Sequence, residues 1–384
     1  MKYKNLGQTS IRIPVIGQGC MGIGGYLARD SKCDTRQIEL LKRGIELGMT
    51  FIDTAEGYGG GHSEEVVRQA VRGIRDAVFI ATKVSPEHLE YSDVIRSAEK
   101  SLSRLNTDYI DLYQVHWPNP QIRLEETMRA MEQLVRQGKI RYIGLSNFYL
   151  NGIREAQAAL MRNTIVCVQL EYNLFDRNVE DRILPFCEAE GVTLLAYSPL
   201  DQGRIANGNE GTEAMRTIAA KYGRTAAQVA LNWLTSHRSV VAIPKAANPR
   251  HLEENASSVD FELSQEDFDD ISEAVNTECI AIPTQRIRVA ENGQGDRQVY
   301  QTKEQAIDNR LGFVPSPAAL ASALGREDFI KPVRLIRTAD GDTEYDYDLV
   351  EGRIRYWAWV IAHDGRRPIP AYIRECAELQ DAVV

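Results

Sequence analysis

No stretch of the 384 residues approaches the run of about 18 uninterrupted apolar residues that a membrane-spanning helix needs. The opening MKYKNLGQTSIRIP has no apolar run and no cleavage-site pattern, so it does not read as a secretory signal. Cysteine is scarce and scattered: six residues, at 20, 33, 167, 187, 279 and 376, with no CxxC pair. That usage fits reduced thiols in the cytoplasm better than a disulfide framework or a zinc site, and no metal is expected. Positive charge is not in excess either. The net charge of −9 speaks against nucleic acid and against an anionic membrane surface as partners. Internal repeats and low-complexity tracts are missing too. What remains, at 43% hydrophobic and 26% charged, is the composition of a soluble cytoplasmic protein. At about 150 residues per domain, its length predicts two domains.

From about 11 to 275, short apolar runs alternate with longer segments whose apolar residues recur at helical spacing, such as Ile38, Leu41 and Ile45, or Met128, Met131 and Leu134. The predicted strands are 15–19, 50–53, 78–83, 109–116, 140–146, 165–170, 192–198 and 240–244. Their nearly continuous apolar character implies burial on both faces, as in a parallel sheet covered by helices. Eight strand-helix units over roughly 250 residues predict an α/β fold, a (β/α)8 TIM barrel. The competing fold is an open doubly wound sheet, whose usual strand count is lower. The front piece, KYKNLGQTSIRIP, reads as an N-terminal hairpin that closes the barrel's bottom.

Polar residues mark the strand ends: Asp53, Lys83, His116, Asn147, Gln169, Tyr197 and Lys245. In a barrel these ends converge on the C-terminal face, where active sites assemble. A structural Asp53–Lys83 ion pair with loop-capping neighbours is the plainer reading of the set. Tyr58, in the loop DTAEGYGGGHSE, is placed to reach back over the mouth. An ammonium from Lys83 is expected to lower the phenol below its ordinary value of about 10, with Asp53 keeping Lys83 charged and oriented. Tyr58 then becomes a general acid or base near neutral pH, and His116 a hydrogen-bond donor to a developing alkoxide. An acid without a nucleophile or a metal cluster fits reduction of a small-molecule carbonyl by an external hydride donor.

Over residues 1–275, the segments DTAEGYG, ATK and VHWP resemble those of the aldo-keto reductase superfamily, and GLSNF, VQLEYN, AYSPL and IPKAANPRHLEEN resemble its cofactor-contacting segments. The resemblance implies a catalytic tetrad of Asp53, Tyr58, Lys83 and His116 and a nicotinamide cofactor extended across the barrel mouth. Ser146, Asn147 and Gln169 would hold the carboxamide and Tyr197 would stack on the nicotinamide ring. The stretch Ser198 to Gly203, including Leu200, would follow the pyrophosphate. Members preferring NADPH carry a Lys-Ser pair, with an Arg six residues after the Lys, around the adenosine 2′-phosphate. Here Lys245 is kept, Ala246 replaces the Ser, His251 takes the Arg position, and Arg250 stands one residue early. NADP is expected on that basis, with NAD as the alternative. Glu254 and Asn255 match adenine contacts. Trp117 and the loop 22–33 are expected to line the substrate pocket.

The pattern changes after Val275. NTECIAIPTQRI reads as a linker running into a strand. It is followed by an apolar run at 333–337, an acidic turn at 340–348, a strand entering a helix at 349–362, and a last short strand at 369–374. Residues 276–384 thus form a small α+β domain, in which 14 basic and 17 acidic residues leave a net charge of −3. VEGRIRYWA at 350–358 resembles the ParB/sulfiredoxin superfamily. That implies an ATP or CTP site with magnesium at Glu351, Gly352, Arg353 and Arg355. Arg353 stands where a sulfiredoxin carries its reactive Cys, and both His residues of the DGHHR form are missing. Two other readings stay open: a low-turnover cofactor-sensing or scaffold subunit, and a reductase joined to a phosphotransferase. A plainer one pairs Arg353 and Arg355 with the acidic turn.

Overall fold

All eight predicted barrel strands form. The computed structural model describes residues 1–205, 213–275, 279–289, 299–327, 330–338 and 345–374. After a hairpin of β1 (Tyr3–Asn5) and β2 (Arg12–Pro14) come β3 (Gln18–Gly19), β4 (Phe51–Asp53), β5 (Phe79–Val84), β6 (Ile110–Val115), β7 (Ile140–Ser146), β8 (Ile165–Glu171), β9 (Thr193–Tyr197) and β10 (Val240–Ala242). The helices between and after them are α1 (Asp34–Glu46), α2 (His62–Ala70), α3 (Tyr91–Leu105), α4 (Leu124–Arg136), α5 (Leu150–Ala159), α6 (Ile183–Glu190), α7 (Glu213–Tyr222), α8 (Ala226–Ser236), α9 (Pro249–Ser257) and α10 (Gln265–Ala274).

Strands β3 to β10 pair in sequence order and every pair is parallel. The two ends of this sheet then meet. Gly17 N donates to Ala242 O at 2.8 Å, Ala242 N to Val15 O at 3.0 Å, and Gly19 N to Pro244 O at 3.0 Å. An open doubly wound sheet has two free edges; here closure removes both. Gly17 and Gly19 serve closure here. A Cβ on Gly19 would lie 2.7 Å from Ile243 O, and one on Gly17 2.7 Å from the Phe51 ring.

The helices bury the faces that their spacing predicts. Met128, Met131 and Leu134 of α4 are fully buried, as is Leu41 of α1, while Ile38 and Ile45 pack at the edge of the same core. Each fully buried side chain of this size contributes about 1.5–3 kcal/mol. Inside the barrel, Leu6 and Ile13 of the hairpin join Phe51, Leu112, Val166 and Leu195 in one apolar cluster. Gly7 sits so close to the start of β8 that a Cβ would meet Val166 O at 2.7 Å. The hairpin therefore seals the N-terminal end, and the polar strand ends are left at the other.

The chain divides into two compact units, Met1–Pro118 with Ile122–Val275, and Asn119–Gln121 with Asn276–Val384. The second unit holds a five-stranded mixed sheet of β11 (Ile280–Ile282), β12 (Ile287–Arg288), β13 (Val333–Arg337), β14 (Tyr347–Glu351) and β15 (Ile369–Arg374), in the order β11-β15-β13-β14-β12. Helices α11 (Lys303–Ile307), α12 (Pro317–Glu327) and α13 (Arg353–His363) complete it. The expected strand-to-helix junction and the strands at 333–337 and 369–374 are present. The single strand expected in NTECIAIPTQRI is instead two, β11 and β12, separated by a turn at Thr284–Arg286. Part of the acidic turn, 340–344, lies outside the described residues, as do 276–278 and Cys376. Trp357, Trp359 and Tyr356 form the unit's core, and each polar tip finds a carbonyl: Tyr300 O at 2.9 Å, Arg367 O at 3.1 Å and Thr284 O at 3.0 Å. No described helix is long and apolar enough to cross a membrane.

Candidate active site

Four of the polar residues converge at the C-terminal mouth of the barrel. Asp53 ends β4 and pairs in register with Ala81 of β5, and Lys83, two residues further and one before the end of β5, points to the same face as Ala81. Lys83 Nζ donates to Asp53 Oδ2 at 2.6 Å, to Thr54 O at 2.9 Å and to Tyr58 Oη at 3.4 Å. Tyr58 reaches them because Gly59, Gly60 and Gly61 all adopt left-handed φ, of 58°, 61° and 93°. At Gly59 a Cβ would lie 2.3 Å from Gly24 O, so the turn that folds the phenol over the mouth requires glycine. The same turn is pinned to the loop 22–33 by Gly59 N donating to Tyr26 O at 2.7 Å.

The electrostatics differ from the expectation at one point. Burial raises the phenol of Tyr58 above its ordinary value, and Lys83 offsets only part of that rise. The physical reason is that the cavity disfavours phenolate more than one already paired ammonium can compensate. Burial also works against the charge on Lys83, but Asp53 and Tyr58 together hold its ammonium above the usual lysine value. Burial, with Lys83 adding, lowers His116 to about 3, so its imidazole is neutral. The His116 ring stands edge-on to Tyr58, with centroids 5.6 Å apart.

A second group of contacts fixes the floor. Asp53 Oδ1 accepts from Gln169 Nε2 at 2.7 Å and from Gln114 Nε2 at 3.2 Å. The Gln169 amide nitrogen is thereby turned toward Asp53. Gln114 was not anticipated; its signal is a Gln within a strand, IDLYQV, that is buried throughout. Asn147, at φ 63°, donates to His116 O and to Ser146 Oγ, both at 3.0 Å, and accepts from Tyr197 Oη at 2.9 Å. Side chains from the ends of β7 and β9 are thus tied to the loop after β6.

The loop after β9 holds Ser198, Asp201, Gln202 and Gly203 at φ of 47°, 48°, 57° and 92°. Three of these are not glycine, a conformation that costs of order 1 kcal/mol or more each and clusters at ligand clamps. Leu200 packs on the apolar core beneath. Past β10, Lys245 and Ala246 line a cleft of about 210 Å³. Arg250 and His251 do not line it. Arg250 instead pairs with Glu254 at 3.5 Å, and His251 packs on the N-cap residue Asn248, to whose Oδ1 its backbone N–H donates at 2.9 Å. Asn255 is buried. Trp117, next to His116, is 43% exposed.

In the second unit, Gly352 caps α13 at φ 93° and brings Glu351, Arg353 and Arg355 to one junction. Glu351 Oε2 accepts from the buried Arg334 Nη1 at 2.5 Å, and Arg355 Nη1 donates to Lys331 O and Pro332 O at 3.2 and 3.1 Å.

The sequence profile of the Aldo/keto reductase family matches residues 15–276. Methylglyoxal reductase YeaE of Escherichia coli (strain K12) is 41% identical over 255 residues, covering 66% of this chain and 88% of that protein. A thermostable aldo-keto reductase solved with the inhibitor epalrestat superimposes with a TM-score of 0.68 at 46% identity, over 71% of this chain and all of that one. An aldo/keto reductase from Klebsiella pneumoniae, solved with NADP and acetate, gives 0.64 at 38% identity, over 71% and 94%. A closed eight-stranded barrel with these likenesses leaves one assignment: the chain belongs to the aldo/keto reductase family and is an NAD(P)-dependent oxidoreductase.

Proposed function

We propose that the barrel, residues 1–275, reduces small aldehydes and ketones with NADPH, and that 2-oxoaldehydes such as methylglyoxal are among its substrates. The chemistry rests on the hydrogen-bonded series Asp53–Lys83–Tyr58 at the mouth, and the substrate class on the likeness to the methylglyoxal reductase of Escherichia coli. The residues fit a nicotinamide dinucleotide. A clamp of left-handed residues follows β9, the Tyr197 ring is part exposed, and a cationic cleft lies beyond β10. When bound, NADPH supplies the hydride that reaches the carbonyl carbon.

The chain's own residues supply everything else. Tyr58 Oη gives its proton to the carbonyl oxygen as charge develops there. Lys83, 3.4 Å away, stabilises the phenolate left behind, and Asp53 with Thr54 O prevents it from turning away. His116, neutral, donates a hydrogen bond to the same oxygen. With its phenol raised above the ordinary value by burial, Tyr58 carries at neutral pH the proton that reduction requires. Ser146, Asn147 and Gln169 would hold the carboxamide, Tyr197 would stack on the nicotinamide ring, Ser198 to Gly203 would follow the pyrophosphate, and Glu254 with Asn255 would contact the adenine. The test is oxidation of NADPH, followed by absorbance, with methylglyoxal and with glyoxal. No turnover of either by pure protein that binds NADPH would remove the substrate assignment.

For residues 276–384 we propose a ParB/sulfiredoxin-like nucleotide-binding or regulatory module. The support is the β14–Gly352–α13 junction, whose helix N-terminus carries Arg353 and Arg355. Titrating the full chain with ATP and CTP in magnesium tests it, and an absence of heat with both removes it.

A further inference from the structure

The sequence leaves the phosphate end of the cofactor two donors short, since Ala246 has no hydroxyl and Arg250 pairs along its own helix with Glu254. A guanidinium from a different element stands there. Arg36 lies in the first turn of α1 and lines the cleft beside Lys245, together with Cys33, Gln37, Ala246 and Ala247. Its Nη2 donates to Ala247 O at 2.9 Å, two residues beyond Lys245. That uses one of the five N–H donors of a guanidinium. Among the described residues, neither Arg36 nor Lys245 has a carboxylate within ion-pair distance, and none lines the cleft. In a chain with nine more acidic than basic residues, a cleft lined by two exposed cations and no acid favours an anion. The first turn of a helix carries partial positive charge, which favours an anion beside it.

We propose that Arg36 is the guanidinium that recognises the adenosine 2′-phosphate of NADPH, acting with Lys245 from across the cleft. This rests on the cofactor reading above and deepens it. The choice between NADPH and NADH is then made by α1 as well as by the segment after β10. A phosphomonoester dianion can take a bidentate pair of N–H bonds from Arg36 and a point charge from Lys245.

Calorimetric titration of the full chain with NADPH, NADH, 2′,5′-ADP and 5′-ADP tests the assignment. For Arg36→Met, NADPH and 2′,5′-ADP should weaken about tenfold or more, while NADH and 5′-ADP stay within about twofold. Arg36→Lys should recover part of the loss, because the charge returns without the fork. Thermal melting of each variant guards against a folding defect. Arg36 loses the role if the Met variant binds NADPH as the parent does. It also loses it if NADH weakens by the same factor, because the residue would then only brace the turn at Ala247. A parent protein that binds neither dinucleotide overturns the cofactor reading and this assignment together; one that binds NADPH regardless of residue 36 overturns this assignment alone.

Discussion

The barrel mouth and the β14–α13 junction are built alike and used differently. Each places a buried cation against a carboxylate at a strand end: Lys83 with Asp53 at 2.6 Å, and Arg334 with Glu351 at 2.5 Å. At the mouth, the pair has a third member, since Lys83 also reaches Tyr58, whose ring is only partly buried and can meet a ligand. At the junction, the third member is another cation, Arg355, which lies 3.8 Å from Glu351 and donates to two backbone carbonyls. Burying an ion pair seldom adds stability by itself. What distinguishes the mouth is a proton-bearing group held next to the pair.

The sharpest way to break that contrast is Tyr58→Phe. Carbonyl reduction should fall by roughly 10²- to 10⁴-fold, with the dissociation constant for NADPH unchanged. Retained turnover would dismiss Tyr58 as the proton donor. Lys83→Met leaves Asp53 as an unpaired buried charge, so stability should drop by about 3–5 kcal/mol in a denaturant titration and turnover should also be lost. The matched change, Arg334→Met, should cost less, about 1–3 kcal/mol by tryptophan fluorescence, because Glu351 is partly solvated. It should leave kcat within about twofold; a large fall in kcat would erase the difference drawn between the two sites.

Smaller effects sharpen the picture. With Tyr58 above its ordinary value and His116 at about 3, neither group titrates near neutrality. The rate of reduction should therefore hold within about twofold from roughly pH 5 to pH 9 and decline only on the alkaline side, as Tyr58 loses its proton. A midpoint near 6.5 would mean that His116 ionises in the working enzyme. Arg250→Ala should change NADPH affinity by less than about twofold, since its exposed pairing with Glu254 is worth little and it does not line the cleft.

Much of this was legible beforehand, for identifiable reasons. The strands at 140–146 and 165–170 were visible because burial on both faces leaves continuous apolar runs, and they form as Ile140–Ser146 and Ile165–Glu171. Asp53, Lys83, His116 and Asn147 stood out because a polar residue ending such a run has to be explained. Gln114 was hidden among its apolar neighbours. The small helices α11 and α12 were missed because they lie beyond the segments where the apolar period was strong.

The order of residues by itself determined the eightfold alternation, the face that each helix buries and the identity of the groups at the mouth, because these follow from local periodicity and from the direction of a parallel strand. Closure of the sheet through Gly17, Gly19 and Ala242, the upward displacement of the Tyr58 phenol and the meeting of Arg36 with Lys245 came only with the tertiary structure. Arg36 and Lys245 are more than two hundred residues apart in the chain. Only closing the barrel makes the first and last strand ends neighbours, and only the resulting exclusion of water sets how far one buried charge can shift another.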